Sequence, residues 1–140
     1  MPAIKYDYNH STFNPDTHIA TLNREIRDFC ENNTIAEPAN REKLMSRLLR
    51  RSSTAAFNGA SRREGGPFGA LVVDFNTQDG IPRVVGFGTN HVVPNNDPSA
   101  HAEMTALRDA SQRLGNTDLS GLTLVTSCEC CPMCLSAATG

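Results

Sequence analysis

The 140-residue sequence carries little net charge and has no long apolar run. A formal charge of −2 gives no general attraction to a nucleic-acid backbone, which argues against RNA or DNA as a substrate. No apolar run approaches the roughly 18 residues that span a bilayer, and the N-terminal region lacks the basic start and apolar centre of a signal peptide. We therefore expect a soluble, cytoplasmic protein with no membrane partner.

Basic side chains are concentrated in residues 41–63, the one local exception to this charge balance. They are Arg41, Lys43, Arg47, Arg50, Arg51, Arg62 and Arg63. A solvated helix face followed by a loop explains such a run. We therefore do not expect nucleic acid as a partner.

Cysteine is nearly absent outside one short segment, because four of the five cysteines lie between residues 128 and 134. Four thiols this close together cannot form a sensible disulfide framework. In a cytosolic protein such clustering favours metal binding. Cys30 stands alone in the N-terminal part and is expected to be a small, buried apolar residue.

Apolar residues at helical spacing predict two helices in the first part of the chain. The first covers residues 16–32 and carries Ile19, Leu22, Ile26, Phe29 and Cys30 on one face. Residues 33–39 interrupt it, and Asn40 is the predicted N-cap of a second helix. The inner side of that helix carries Leu44, Met45, Leu48, Leu49 and Ala56. We expect one domain over residues 41–140, preceded by an N-terminal extension over 1–40 that contains the first helix.

Three strands are predicted over residues 68–75, 83–93 and 122–127, and the first two form a hairpin around Asp79-Gly80. Asp97 as N-cap and Pro98 at the first helical position predict a helix that Gly115 ends, and Pro132 begins another. This order indicates an α/β domain with helices packed on a mixed sheet. The last helix would be short and the third strand an open sheet edge, so we expect the sequence to be truncated at its C-terminus.

One histidine, one glutamate and a Cys-x-x-Cys pair make a predicted zinc site of the hydrolytic kind. Catalytic zinc usually takes three protein ligands and leaves its fourth position to water, so His101, Cys131 and Cys134 are suitable in number and type. Glu103 then remains to move protons between that water and a leaving amine. The sequence therefore predicts Zn²⁺ as cofactor and hydrolytic deamination of an amidine-like carbon.

Two alternatives to a catalytic zinc site remain open. In the first, the cysteines are separate buried thiols, but this does not explain why Glu103 shares an apolar stripe with other residues, where a carboxylate needs a partner. That stripe consists of Ala100, Leu107, Ala110 and Leu114. In the second, Cys128 or Cys130 is a fourth ligand of a structural zinc, and the chain is a non-catalytic subunit with residues 41–51 as its contact surface.

The spacing of His101 and Glu103 presents a further difficulty. Residues two apart on a helix do not share a face. The two side chains can therefore meet at one water molecule only if the end of the helix points toward it.

His-x-Glu followed by Pro-Cys-x-x-Cys is the signature of zinc-dependent nucleobase deaminases. The chain resembles the cytidine deaminase-like superfamily and, within it, guanine deaminases and related purine deaminases. The resemblance rests on Gly-Gly-Pro-Phe-Gly-Ala at 65–70, Gly-Thr-Asn-His at 88–91, Asp-Pro-Ser-Ala-His-Ala-Glu at 97–103 and Thr-Ser-Cys-Glu at 126–129. Cys130 departs from the pattern, because the family has a proline before the first cysteine ligand.

The resemblance implies a three-layer α/β/α fold, purine bases as the substrate class, and conversion of guanine to xanthine and ammonia. It also implies that Asn90 hydrogen-bonds the base, that Ala102 contributes its backbone N–H and that Phe68 lines the pocket. Members of the family usually form dimers or larger assemblies, so a homodimer is expected. Cytosine, a nucleoside or adenosine in tRNA are the alternative substrates, and a tRNA substrate would require a basic groove.

Overall fold

The computed structural model describes residues 14–59, 69–90, 96–126, 133 and 137–138. In chain order it contains α1 (Pro15–Asn32), α2 (Pro38–Gly59), β1 (Gly69–Asp74), β2 (Arg83–Thr89), α3 (Ala102–Leu114) and β3 (Thr123–Thr126). The sheet has the order β2-β1-β3. Helices α1 and α2 pack on one face of the sheet and α3 packs on the other. The predicted three-layer α/β/α arrangement is therefore confirmed.

Both strand pairings in the sheet are antiparallel. The hairpin predicted between the first two strands is confirmed, and β3 lies at an edge as expected. A mixed sheet also requires a parallel pairing, and none occurs among the strands that the structure describes. Met133, Ala137 and Ala138 are helical, and the rest of the predicted last helix lies outside the described residues.

Helix α1 begins after Asn14, whose Oδ1 accepts hydrogen bonds from the backbone N–H groups of Asp16 (2.9 Å) and Thr17 (3.2 Å). Its predicted apolar stripe is buried except for Cys30, which is only partly buried and so departs from the prediction, and the described part of the α2 stripe packs against it. Helix α2 begins at Pro38, so the prediction of Asn40 as its N-cap is wrong. The backbone N–H of Asn40 donates to the carbonyl of Glu37 at 3.1 Å, which places Asn40 inside the first turn.

Helix α1 is hydrogen-bonded to β2 and also packs against α2. The side-chain amide of Asn23 donates to the carbonyl of Val84 (3.3 Å), and its Oδ1 accepts from the N–H of the same residue (2.7 Å). These bonds satisfy both backbone groups of a residue on an edge strand.

No helix in the described part of the chain is long and apolar enough to cross a membrane.

Helix α3 lies unusually close to β2 because the contact is made by glycine and alanine. A Cβ at Gly86 would lie 2.7 Å from Ala110 Cβ and 2.8 Å from the carbonyl oxygen of Ala106. A Cβ at Gly88 would overlap the backbone of Ala102 and of Ala106. We call these five residues the Gly–Ala seam. The seam positions the N-terminal end of α3 against the end of β2.

His18 is a buried polar residue on α1 that the apolar stripe did not predict. Its Nε2 lies 3.0 Å from Ser52 Oγ on α2, and its ring meets Phe87 edge-on with 5.0 Å between centroids. Burial and, to a smaller extent, the positive charge of Arg51 together lower the pKa of His18 from 6.5 to about 4. Arg51 is itself paired with Glu25 at 2.6 Å. The folded protein therefore favours neutral His18.

Replacing His18 by glutamine is expected to flatten the pH dependence of stability between pH 7 and pH 4. A folded-state pKa below 6.5 means that the unfolded chain binds the proton more readily, so the wild-type protein loses stability as pH falls from 6.5 toward 4. With allowance for partial solvent screening, we expect a loss of about 2 kcal/mol that the variant lacks. Urea unfolding at pH 7, 5.5 and 4.5 measures it.

The three aspartates with lowered pKa values do not account for a loss of stability in this window. The pKa values of Asp79, Asp97 and Asp118 are held below 3.8, chiefly by hydrogen bonds, so their contributions are lost only at lower pH. Equal losses of stability in wild type and His18→Gln would contradict a lowered pKa of His18 in the folded protein.

Candidate active site

Helix α3 begins at Ala102, with His101 as its N-cap, so the prediction that Asp97 and Pro98 start this helix is wrong. Asp97 Oδ1 instead accepts hydrogen bonds from the backbone N–H (2.9 Å) and the hydroxyl (2.6 Å) of Ser99. The carbonyl of Asp97 accepts from the N–H of Ala100 at 3.1 Å. The carboxylate therefore closes a turn before the helix and does not cap it.

The position of His101 changes how its spacing to Glu103 is interpreted. His101 has an extended backbone (φ −65°, ψ 158°), whereas Glu103 lies in the first helical turn. The rule that residues two apart face different directions applies only where both residues are helical. It therefore does not prevent the side chains of His101 and Glu103 from facing the same water molecule. The imidazole of His101 makes no capping hydrogen bond to α3. Both side chains therefore belong to the N-terminal end of the helix.

Glu103 is buried, with 5% of its surface exposed. Its Oε1 accepts a hydrogen bond of 3.0 Å from Thr126 Oγ1, at the end of β3. The inference that Glu103 lies on a buried stripe and needs a partner is confirmed, as is the burial of Ala100 and Ala110. Leu114 was expected on the same stripe but is 46% exposed, because the last turn of α3 lies beyond the buried part of the helix.

Four elements meet at one end of the sheet. Strand register pairs Gly69 with Thr89 and Ala70 with Thr126, so β1 begins where β2 and β3 end. The hydroxyl of Thr105 donates to the carbonyl of Thr89 at 2.8 Å, which brings the start of α3 to the same place. The structure therefore brings the ends of β2 and β3, the start of β1 and the start of α3 together.

The predicted site residues fall at this end of the sheet as far as the structure describes them. Asn90 directly follows β2 and is half-buried, and Ala102 is the first residue of α3 and is buried. Phe68, Cys131 and Cys134 lie outside the described residues. Their predicted roles remain predictions.

A complete metal site cannot be assembled from the described residues alone. Among them, no group of three or more His, Cys, Asp or Glu side chains could hold a metal ion. The predicted donor set requires Cys131 and Cys134 in addition to His101. One imidazole and two thiolates are ligands that catalytic zinc takes, and the buried Glu103 carboxylate stands two residues from the imidazole. The residues of the chain therefore fit a zinc ion.

Sequence reasoning missed two features of the site, namely the contact of Thr126 with Glu103 and the contacts of Arg108. Arg108 on α3 lies 3.4 Å from Asp97 and donates to Ser99 at 3.1 Å. The pattern Asp97-x-Ser99 is typical of a side-chain-closed turn and could have predicted that Asp97 does not cap a helix. A single threonine at a strand end carries no comparable signal.

Comparison with known families supports the resemblance seen in the sequence. Residues 39–139 match the family described as the cytidine and deoxycytidylate deaminase zinc-binding region. Guanine deaminase of Bacillus subtilis is 47% identical over 90 residues, which cover 64% of this chain and 54% of the relative. A tRNA-specific adenosine deaminase of Buchnera aphidicola is 41% identical over 71 residues, covering 51% of this chain and 40% of that protein.

A solved structure supports the same relationship. The crystal structure of guanine deaminase from Bacillus subtilis superposes with a TM-score of 0.53 at 44% identity, covering 65% of this chain and 54% of that chain. The chain spans about half the length of the Bacillus subtilis guanine deaminase that it matches. The α/β/α layers, the buried glutamate at the start of α3 and the match over residues 39–139 lead to one conclusion: this chain belongs to the cytidine and deoxycytidylate deaminase family.

Proposed function

We propose that this chain carries the catalytic centre of a zinc-dependent hydrolase that converts guanine to xanthine and ammonia. The observation that carries the proposal is the buried carboxylate of Glu103 at the N-terminal end of α3, held by Thr126 and two residues from His101. Similarity to guanine deaminases supports guanine as the substrate. Burying a carboxylate costs free energy even when it is hydrogen-bonded, which favours a catalytic role for Glu103 over a structural one.

His101, Cys131 and Cys134 would hold the zinc ion in this proposal. When bound, zinc supplies Lewis acidity that makes water a nucleophile near neutral pH. The matched family region is a zinc-binding region, which supports this assignment. Cys130 stands beside the first cysteine ligand, where the resemblance leads us to expect proline.

Glu103 moves the protons of the reaction. Its carboxylate accepts a proton from the attacking water and delivers it to a ring nitrogen of guanine. A second proton from the same water then passes through Glu103 to the amine, so that the C–N bond breaks and ammonia leaves. The hydrogen bond from Thr126 fixes one oxygen of the Glu103 carboxylate. The carboxylate that transfers the protons therefore has a defined orientation.

Three groups are proposed to bind the base. Ala102 is the first residue of α3, so its N–H has no intrahelical acceptor and is suited to donate to a substrate oxygen. Asn90 follows the end of β2 and offers both a donor and an acceptor. Phe68 is proposed to wall the pocket. These assignments follow the resemblance and the position of Asn90 and Ala102 at the common end of the sheet.

Domain bounds, assembly and cellular compartment of the protein are part of the same proposal. It takes residues 41–140 as the deaminase domain and 1–40 as an N-terminal extension whose helix α1 packs onto it. It expects a homodimer, in line with the family resemblance. Clustered thiols that bind a metal require reducing conditions, which favours the cytoplasm.

Zinc content and ammonia release test the proposal directly. We expect one zinc per chain and ammonia from guanine in a panel that also contains guanosine, cytosine, cytidine and adenine. Turnover of cytosine but not guanine would reject the substrate. Bound zinc without turnover of any base would favour the non-catalytic zinc-stabilised subunit.

A tRNA adenosine substrate is the second candidate, supported by similarity to a tRNA-specific adenosine deaminase and by the basic face of α2. Several of these cations already have partners in the fold. The guanidinium of Arg41 lies 3.6 Å above the ring of Phe75, and that of Arg47 lies 5.5 Å from the ring of Phe29. If RNA is the substrate, the protein should bind RNA with an affinity that falls steeply as the salt concentration rises. Absence of such binding would exclude this candidate.

A further inference from the structure

The turn that precedes His101 is tied to the middle of α3 by one arginine. Arg108 Nη1 lies 3.4 Å from Asp97 Oδ2, and Arg108 Nη2 donates to Ser99 Oγ at 3.1 Å. The Ser99 hydroxyl donates in turn to Asp97 Oδ1 at 2.6 Å. These three side chains therefore form a closed set of contacts, which we call the turn anchor.

The turn anchor is partly shielded from water. The side chains of Arg108 and Asp97 are 32% and 35% exposed. Hydrogen bonds from Ser99 hold the pKa of Asp97 below its usual value, and the charge of Arg108 acts in the same direction. Asp97 is therefore ionised at neutral pH, which strengthens its contact with the guanidinium.

The turn anchor is connected to His101 through the backbone. The N–H of His101 donates to the carbonyl of Ser99 at 2.9 Å, and its carbonyl accepts from the N–H of Thr105 at the same distance. Ala100, which lies between Ser99 and His101, is fully buried. The position of Ser99 therefore determines where the backbone of His101 lies relative to α3.

We propose that Arg108 is a positioning residue for the zinc ligand His101 and acts through Asp97 and Ser99. This inference rests on the proposed function, because it takes His101 as a ligand of zinc. Without the arginine, α3 remains folded but the turn before it is less constrained, so His101 is less often in position to bind. Residues that orient metal ligands from outside the ligand set contribute about 10- to 100-fold in metal affinity. Arg108 acts through the backbone, so we expect about tenfold.

The experiment compares Arg108→Met with a matched control on the same helix. Arg113 has a similar side-chain exposure of 29%, but its guanidinium pairs with Asp16 (2.7 Å) and Asp109 (2.9 Å) instead of with Asp97 and Ser99. Arg113→Met therefore also removes two contacts of a guanidinium from α3, and it leaves the turn anchor in place. The zinc dissociation constant of each full-length variant is measured by competition with a chromogenic chelator, and the unfolding midpoint by urea.

We expect Arg108→Met to weaken zinc binding about tenfold, whereas Arg113→Met leaves it unchanged although both lower the unfolding midpoint. Arg108→Lys keeps the charge but cannot contact Asp97 and Ser99 in the same forked geometry, so this variant should retain only part of the wild-type zinc affinity. Equal zinc affinity in the Arg108→Met and Arg113→Met variants would overturn the inference and leave the proposed function intact. Failure of the wild-type chain to bind zinc would overturn the proposed function and this inference with it.

Discussion

Replacing Glu103 by glutamine is expected to lower the rate of ammonia release from guanine by about 10³- to 10⁴-fold while leaving the zinc content unchanged. An amide cannot take up the proton of the attacking water, and general acid–base catalysis is worth up to about that factor. Glutamine has nearly the same shape as glutamate, and its carbonyl oxygen can still accept the hydrogen bond of Thr126. The loss therefore reports proton transfer and not the collapse of a buried contact.

The measurement is steady-state ammonia release by wild type and variant at saturating guanine, with zinc determined on the same samples. Glu42 on the exposed face of α2 offers a matched control, because Glu42→Gln removes the same charge far from the site. The control should keep the wild-type rate. A Glu103→Gln variant that retains more than about a tenth of that rate would show that another group moves the protons.

Replacing Gly88 by alanine is expected to destabilise the protein by about 3 kcal/mol. The added Cβ would overlap Thr105 Oγ1, the backbone nitrogen of Ala106 and the backbone carbonyl of Ala102. The hydroxyl of Thr105 can rotate, but the two backbone atoms can move only if α3 shifts away from β2. Such a shift would also displace the start of α3, so we expect zinc affinity to fall together with stability.

Gly80→Ala is the matched control for that variant. Gly80 has φ +75°, and an added Cβ would meet no atom of the described residues within 4 Å, so alanine there introduces conformational strain without a steric overlap. A left-handed backbone costs an ordinary residue about 1 kcal/mol. Urea unfolding of both variants measures the difference. Similar losses of stability would show that α3 can adjust to the extra methyl group and that the seam is not tightly packed.

Local patterns predicted the layers of the fold because those patterns reflect burial. Ile19, Leu22 and Ile26 recur at helical spacing because α1 has one buried face, and β1 is a short apolar run because both of its faces are covered. The start of α3 was predicted wrongly because Asp97 followed by proline is common at helix starts. Asp97 is instead held by Ser99 and by Arg108, eleven residues away. The contact with Arg108 has no local signature in the sequence.

The candidate site could be predicted in its residue types but not in its supporting contacts. His101 and Glu103 were recognisable from their spacing to the cysteine pair, and the burial of Glu103 followed from its apolar neighbours. Thr126, which holds Glu103, lies 23 residues further along the chain. It becomes a neighbour of Glu103 only once β3 pairs with β1 and α3 packs on one face of the sheet. Such partners depend on tertiary structure.

The Gly–Ala seam has a consequence for the entropy of the site. Glycine and alanine have no rotamers to lose, so packing α3 against β2 immobilises backbone without freezing side chains at the contact. The close approach that results lets Thr105 bond directly to the carbonyl of Thr89. The end of the helix that carries Ala102 and Glu103 is thereby placed before any ligand arrives. Binding then has less disorder to remove, and more of the interaction free energy remains to hold the substrate.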